Sequence, residues 1–271
     1  MPELPEVETT RRGVAPRVVG RRVKRLQVYD ARLRWPVPAD LAKRIEGRVI
    51  DRVDRRSKYL LFRFGDDTLL VHLGMTGSLR VHRKAPPRVL HDHVDLMLDD
   101  GTTLRYHDPR RFGAMLWVEG PADSHPLLRA LGPEPFDASF NAEHCWNLAR
   151  GRNVAVKLAL MDNRMVVGVG NIYASEALFR AGIRPTARLK TISRARFGRL
   201  VEAVRAVLEE AIASGGSTLR DYVGSQGERG QFQFRHDVYA RKGDPCRVCG
   251  TPIRMIRQGQ RASFYCPRCQ R

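Results

Sequence analysis

The sequence predicts an α+β multidomain protein, and three observations carry that prediction. The first 118 residues are dominated by short, partly alternating runs rich in β-branched and aromatic residues, which is the pattern of antiparallel strands. Beyond Gly132-Pro133-Glu134-Pro135 the apolar residues recur at helical spacing. The C-terminal tail, about thirty residues long, carries two Cys-x-x-Cys pairs and too little apolar sequence to fold on a core of its own.

A short first helix is expected to end near Gly13 or Gly20. Residues 23–29, 49–55, 59–64 and 68–72 read as strands, with Gly65-Asp66-Asp67 as a turn between two of them. Residues 94–98, 103–106 and 114–118 continue the pattern around the turn Asp99-Asp100-Gly101. Asp108-Pro109-Arg110-Arg111-Phe112-Gly113 then falls in what the spacing makes a β-hairpin loop. Helical periodicity covers residues 154–161, 171–181 and 194–213, so a domain boundary is expected near residues 131–136. The Gly- and Gln-rich stretch 224–234 reads as a mobile loop, and neither a repeat nor a heptad run is present.

With 271 residues and 42% hydrophobic content, the chain can bury a substantial core. Its 48 basic and 29 acidic residues leave a net charge of +19, which suits a polyanionic partner, nucleic acid above all. No apolar run approaches the roughly 18–20 residues of a membrane span, and the acidic, proline-rich start lacks the order of a signal peptide. A cytoplasmic location is therefore expected. Arginine outnumbers lysine 41 to 7, which draws attention to Lys58, just after Arg55 and Arg56.

Cys246-Arg-Val-Cys249, sixteen intervening residues and Cys266-Pro-Arg-Cys269 match the spacing of a four-thiolate zinc ribbon. Four protein ligands leave no open position, so one structural zinc ion is expected. Paired disulfides are the competing reading, and nothing in the chain points to secretion. Cys145 is left over as a small buried hydrophobe. Between the pairs, residues 254–261 form a basic segment, ending at Arg261, that either presents guanidinium groups to phosphate or is merely solvated.

The N-terminus carries a second kind of signal. Removal of Met1 would expose Pro2, whose secondary amine, with a pKa near that of other α-amino groups at about 7.7–8.0, is partly unprotonated at neutral pH and able to attack a carbonyl carbon. Glu3 would be an acid one residue away. The competing reading is that Pro2 and Pro5 simply start a helix. Val167-Gly168-Val169-Gly170-Asn171 runs into a helix and offers either backbone N–H groups to a phosphate or a tight turn with Asn171 as N-cap. Arg110 and Phe112, if exposed together, suit insertion into a base stack, although taken alone the segment favours a buried Phe112; Met75, between two glycines, belongs at a loop tip. His91-Asp92-His93 is read as polar structure or phosphate contact rather than a second metal site.

Six ordered motifs resemble one family across nearly the whole chain, the bacterial formamidopyrimidine-DNA glycosylases, or 8-oxoguanine-DNA glycosylases. They are Pro2-Glu-Leu-Pro-Glu-Val-Glu8, Lys58-Tyr-Leu-Leu61, His72-Leu-Gly-Met75, Asp108-Pro-Arg-Arg-Phe-Gly113, Val167-Gly-Val-Gly-Asn-Ile-Tyr-Ala-Ser-Glu176 and the four cysteines. The resemblance implies a catalytic β-sandwich with flanking helices over residues 1–131, a helix-two-turns-helix domain over 132–220, a lesion loop and connector over 221–240 and a zinc finger over 241–271. It implies that Pro2 attacks the anomeric carbon of a damaged nucleotide, expels the base and remains linked to the sugar as an iminium. Glu3 would be the proton donor and Glu6 its support, and β- then δ-elimination would cut the strand on both sides. Lys58, His72, Asn171 and Arg261 would hold phosphates, with Lys58 and Arg261 assisting proton transfer. His91, Arg110, Arg152 and Asn153 match DNA-contacting positions more loosely. Met75, Arg110 and Phe112 would fill the gap left by the extruded base, Arg110 facing the orphaned cytosine, and residues 218–230 would close over the purine. Lys157 matches a family lysine near the lesion but reads equally as a surface charge. The expected partner is damaged double-stranded DNA, bound by a monomer.

Two rival readings differ in chemistry. An oxidised-pyrimidine glycosylase of the endonuclease VIII type shares the architecture and the N-terminal proline, but the Leu4-Pro5 opening and the set of Met75, Arg110 and Phe112 argue against it. A non-catalytic zinc-ribbon DNA-binding protein would leave Pro2 and Glu3 unexplained.

Overall fold

A computed structural model of the chain describes residues 2–217 and 230–271. Helix α1 (Leu4–Val18) runs through Gly13 and ends just before Gly20, burying Val7, Val14 and Val18 on one face. It leads to β1 (Val23–Val28), the short α2 (Leu41–Ile45), β2 (Arg52–Arg56), β3 (Tyr59–Phe64), β4 (Asp67–His72), β5 (Ser78–His82), β6 (Asp92–Leu98), β7 (Thr103–His107) and β8 (Ala114–Val118). These strands build two antiparallel sheets, ordered β1-β6-β7-β5 and β2-β3-β4-β8. Side chains alternate between the faces of a strand, so Leu60, Phe62 and Phe64 of β3 meet Leu69 and Val71 of β4 on one side. There they share a core with Leu96, Leu104 and Tyr106 of the other sheet. The result is a sandwich, with α1 packed against β2, β3 and β5.

Several elements depart from the sequence expectation. β2 starts at Arg52, because Val49 makes only an isolated bridge to Arg22. β5 and α2 were not expected at all. The largest correction concerns residues 108–113. β7 pairs with β5 and β6, whereas β8 pairs with β4, so this segment is a crossover from one sheet to the other and not a hairpin loop.

Beyond the sandwich come α3 (Ala142–Ala149), α4 (Val156–Leu160), α5 (Asn171–Arg180), α6 (Arg194–Ala213) and the hairpin β9 (Arg254–Gln258) and β10 (Arg261–Tyr265). α6 buries Phe197, Leu200, Val201, Val204, Val207, Leu208 and Ala211, the stripe that a 3.6-residue period predicts. Asn141 caps α3 by accepting the His144 N–H, and Arg180 joins α5 to α6 through two bonds of 2.6 and 2.8 Å to Glu210. α4 is shorter than expected, five residues. Two compact units result: Met1–Arg129 with Ser214–Gln231, and Ala130–Ala213 with Phe232–Arg271. Among the described residues no helix is long and apolar enough to cross a membrane.

The four tail cysteines converge, with every pair of sulfurs within 4.8 Å. Cys246 and Cys269 approach to 3.9 Å and Cys249 and Cys266 to 3.5 Å, against about 3.8 Å for the edge of a tetrahedron with 2.3 Å Zn–S bonds. The donor set fits one zinc ion with no vacant position. The apolar cluster beside it is small, comprising Phe179, Val238 and Ile253 around Cys246 and Cys266, so the metal carries much of the local stability. We expect one zinc per chain by elemental analysis. Its removal by a chelator should raise amide exchange across β9 and β10 while leaving the sandwich strands protected.

Candidate active site and nucleic-acid interface

The N-terminal centre is organised by one carboxylate. Pro2, Glu3 and Glu6 are all buried, and Glu6 lies in the first turn of α1, where negative charge is favoured by the exposed backbone N–H groups. Glu6 Oε2 accepts the Glu3 N–H at 2.8 Å, and Oε1 accepts the Ser217 N–H at 2.8 Å. Pro5 occupies the first helical turn, but Pro2 lies ahead of the helix, so helix initiation accounts for Pro5 alone.

Lys58 sits in the two-residue turn between β2 and β3, next to Ser57 at φ 55°. That turn is tied to α1 by Arg55, which donates to the Ser57 carbonyl at 2.9 Å and pairs with Glu8 at 3.3 Å. Burial alone would raise the Glu8 carboxyl, yet hydrogen bonds from Arg11 and Arg12, with Arg55 nearby, hold it below its usual range. His72 lies across from Tyr59 in the β3–β4 register, with ring centroids 4.9 Å apart. Its Nδ1 accepts the Gly74 N–H at 3.0 Å, which leaves the ring proton on Nε2. Burial, with the Lys58 and Arg34 cations, pushes its pKa down to about 4, so His72 offers a neutral donor.

Met75 and Phe112 are exposed apolar side chains, 38% and 44% accessible, and the Arg110 guanidinium lies 4.9 Å over the Phe112 ring. The reading of Phe112 as an ordinary core residue is thereby overturned. His91 adopts φ 73° ahead of β6. Its neighbour Asp92 is absorbed structurally, paired with Arg105 at 3.2 Å and His107 at 2.8 Å. His93 is buried and donates to the Asp108 carbonyl at 2.9 Å. The cysteine set is the one metal-type cluster among the described residues.

In the second unit Gly170, not Asn171, is the N-cap of α5. Asn171 is instead locked by Lys157, a fully buried cation donating to Asn171 Oδ1 at 2.6 Å, the Ala262 carbonyl at 2.9 Å and Ser263 Oγ at 2.7 Å. Asn171 Nδ2 also donates to the Ala262 carbonyl, at 3.1 Å, and more weakly to the Tyr239 hydroxyl at 3.4 Å. Residue 262 follows Arg261, whose side chain is exposed at the tip of the β9–β10 hairpin. Lys157 therefore joins Asn171 to the strand bearing Arg261 and is no surface charge. One signal of this was present, a lone cation in the apolar run from Val154 to Met161. Glu176, also fully buried, accepts the N–H groups of Asp237, Val238 and Tyr239 at 2.8, 3.1 and 2.8 Å and so fixes Tyr239. Its role was not foreseen. Arg152 and Asn153 line a separate cavity of about 600 Å³ with Arg164 and Arg188. Cys145 is the expected buried hydrophobe, its thiol pushed up to about 12 by burial. The expected lesion loop lies almost wholly at residues 218–229, outside the described residues.

His236, buried against Phe232 and Tyr239, is likewise pushed down to about 4, chiefly by burial. The unfolded chain protonates His72 and His236 near pH 6.5, whereas the folded chain does so only near 4. Stability should therefore fall as pH is lowered from 6.5 towards 4. His72→Gln should flatten that dependence in denaturant titrations, and an unchanged slope would contradict the assignment.

Residues 1–115 match the family model of the formamidopyrimidine-DNA glycosylase N-terminal domain, 131–223 that of the formamidopyrimidine-DNA glycosylase H2TH domain, and 243–271 that of a zinc finger found in FPG and IleRS. The formamidopyrimidine-DNA glycosylases of Methylococcus capsulatus and Thioalkalivibrio sulfidiphilus are 57% and 56% identical over 271 residues, covering all of both chains. The crystal structure of the MutM (Fpg) protein of Thermus thermophilus superposes with a TM-score of 0.88 at 42% identity, covering 99% of this chain and 98% of that one. Lactococcus lactis Fpg, solved with DNA containing an abasic site, gives 0.90 at 33% identity and 99% coverage of both chains. On the strength of motifs, architecture and full-length identity together, this chain belongs to the formamidopyrimidine-DNA glycosylase family.

Proposed function

We propose that this chain is a base-excision DNA repair enzyme that removes oxidised purines, 8-oxoguanine and formamidopyrimidines, from double-stranded DNA and then cleaves the strand as an abasic-site lyase. The observation that carries this reading is the buried Pro2-Glu3 terminus held by Glu6, in a chain matched by glycosylase relatives along its whole length.

Once Met1 is removed, the Pro2 nitrogen lone pair forms a bond to C1′ of the damaged nucleotide as the C1′–base bond breaks, and the base leaves with the proton that the Pro2 nitrogen sheds. Glu3 protonates the sugar ring oxygen, the ring opens, and an iminium joins Pro2 to the sugar. The iminium acidifies the C2′ proton. Its loss expels the 3′ phosphate, and a second elimination expels the 5′ phosphate. Lys58, His72, Asn171 and Arg261 hold the flanking phosphates, with Lys58 and Arg261 assisting proton transfer. Asn171 is oriented for this by Lys157, and its weak contact to Tyr239 is the bond that a phosphate would replace. Met75, Arg110 and Phe112 occupy the gap in the duplex, and His91, Arg152 and Asn153 contact the backbone. Residues 1–131 form the catalytic domain, 132–220 the DNA-binding helical domain, 221–240 the lesion loop and connector, and 241–271 the zinc finger. The enzyme works as a monomer in the cytoplasm, at the nucleoid.

Duplexes containing 8-oxoguanine opposite cytosine should be cleaved with phosphates on both sides of the gap, and thymine glycol duplexes much more slowly. The reverse preference would overturn the purine assignment. Salt dependence separates the phosphate ligands. Lys58→Ala and Arg261→Ala should each reduce the slope of log affinity against log salt by about one, because each loses one neutralised phosphate. His72→Ala should weaken binding at pH 7.5 without changing the slope, because His72 is neutral there.

A further inference from the structure

The exposed Met75 and Phe112 sit on two segments that the topology places side by side. Residues 73–77 run from β4 to β5, and residues 108–113 run from β7 to β8. β4 pairs with β8, His72 opposite Ala114, and β5 pairs with β7, Ser78 opposite His107. Both crossovers therefore join the same two strand pairs, in opposite directions.

The second crossover opens with Asp108, which is fully buried. Its Oδ1 accepts the Thr76 hydroxyl at 2.8 Å, and its Oδ2 accepts the Gly113 N–H at 2.9 Å and the Tyr106 hydroxyl at 3.5 Å. The bridge is reciprocal, since Thr76 Oγ1 accepts the Arg110 N–H at 3.2 Å. The backbone of Asp108 extends the knot, its N–H donating to the His91 carbonyl at 3.1 Å. The crossovers also meet at van der Waals distance. A Cβ on Gly74 would lie 2.5 Å from the Gly113 nitrogen, and one on Gly113 would lie 1.6 Å from the Tyr106 hydroxyl and 2.5 Å from the His72 carbonyl. Gly74 additionally holds φ +64°.

We propose that Asp108 is a positioning residue that, through Thr76, joins the Met75 and Arg110–Phe112 crossovers into one rigid tool, so that wedge and gap-filler enter the duplex together. The inference rests on the intercalating role given above to Met75, Arg110 and Phe112. Prying a base from the stack costs a few kcal/mol, and a side chain on a yielding loop would rotate away under that load. Two exposed apolar side chains on backbones pinned by a buried carboxylate meet the requirement. Asp108 itself touches neither the base nor the sugar in this scheme.

The test pairs Thr76→Val, which removes both hydroxyl bonds, with Thr76→Ser, which restores them, and with Phe112→Ala as control. Asp108→Ala is measured alongside with its melting temperature, but Thr76→Val decides, because it spares the buried carboxylate. The readouts are the fluorescence rise of 2-aminopurine beside 8-oxoguanine, which reports unstacking, and borohydride trapping on DNA with a preformed abasic site, where no base is extracted. Losing a hydrogen bond to a buried carboxylate is worth about tenfold or more, so Thr76→Val should slow unstacking and 8-oxoguanine release by at least that factor. Trapping should change by less than about threefold, a loss too small to match a broken hydrogen bond. Thr76→Ser should recover the unstacking rate. If Phe112→Ala abolishes the unstacking signal while Thr76→Val leaves it intact, the clamp is refuted and the intercalation reading stands. If Phe112→Ala leaves the signal unchanged, the intercalation reading fails and the clamp with it. Equal losses of unstacking and trapping in Thr76→Val would reduce Asp108 to a fold-stabilising residue and refute the positioning role.

Discussion

A single buried carboxylate, Glu6, governs what the start of this chain can do. Chain termini are ordinarily frayed, and an amine on a frayed end has no fixed line of attack. Here the carboxylate grips the backbone of Glu3 on one side and of Ser217 on the other, the latter 211 residues away in sequence. Pro2 is thereby buried at the head of α1 rather than left in solvent. In the proposed mechanism a secondary amine so held, once Met1 is removed, needs no buried lysine and no further activation beyond its own modest basicity. Orientation of this kind is worth many orders of magnitude in rate when the reacting atoms are kept near contact.

The same device recurs beside the partly buried side chains assigned to phosphate in the proposal. Glu8 and Arg55 brace the turn bearing Lys58, the Gly74 N–H sets the tautomer of His72, and Lys157 holds Asn171 beside the strand of Arg261. Glu176 anchors residues 237–239 in the second unit. Each of these buried polar groups has its donors or acceptors matched, which is the condition for burial without a large penalty. Such groups add little net stability compared with apolar residues of the same size. What they supply is direction, which a basic surface of net charge +19 does not provide by itself.

Legibility in the sequence followed the range of the interactions concerned. Short apolar runs rich in aromatic and branched residues marked β3 and β8 to the residue, helical periodicity marked α6, and cysteine spacing foretold the sulfur cluster. Partnership between strands was not legible. Residues 103–118 look like a hairpin locally, and only tertiary pairing sends β8 to β4 in the other sheet. β5 escaped notice because it is a five-residue edge strand with only two apolar residues, Leu79 and Val81. The motifs marked Pro2, Lys58, His72 and Arg110 as a set but could not show their supports. Lys157 takes its acceptors from residues 171, 262 and 263, and a lysine in isolation reads as surface. Asp108 gave no local sign that its carboxylate faces Thr76.

Covalent chemistry at the second residue is the claim on which the mechanism stands. Borohydride reduction of the enzyme mixed with abasic-site DNA, followed by proteolysis and mass spectrometry of the adduct, tests it most directly. The account requires the sugar remnant on the nitrogen of Pro2 in chains that have lost Met1, and no adduct in a form that retains it. A remnant on any lysine, or an active enzyme with its first methionine intact, would contradict it.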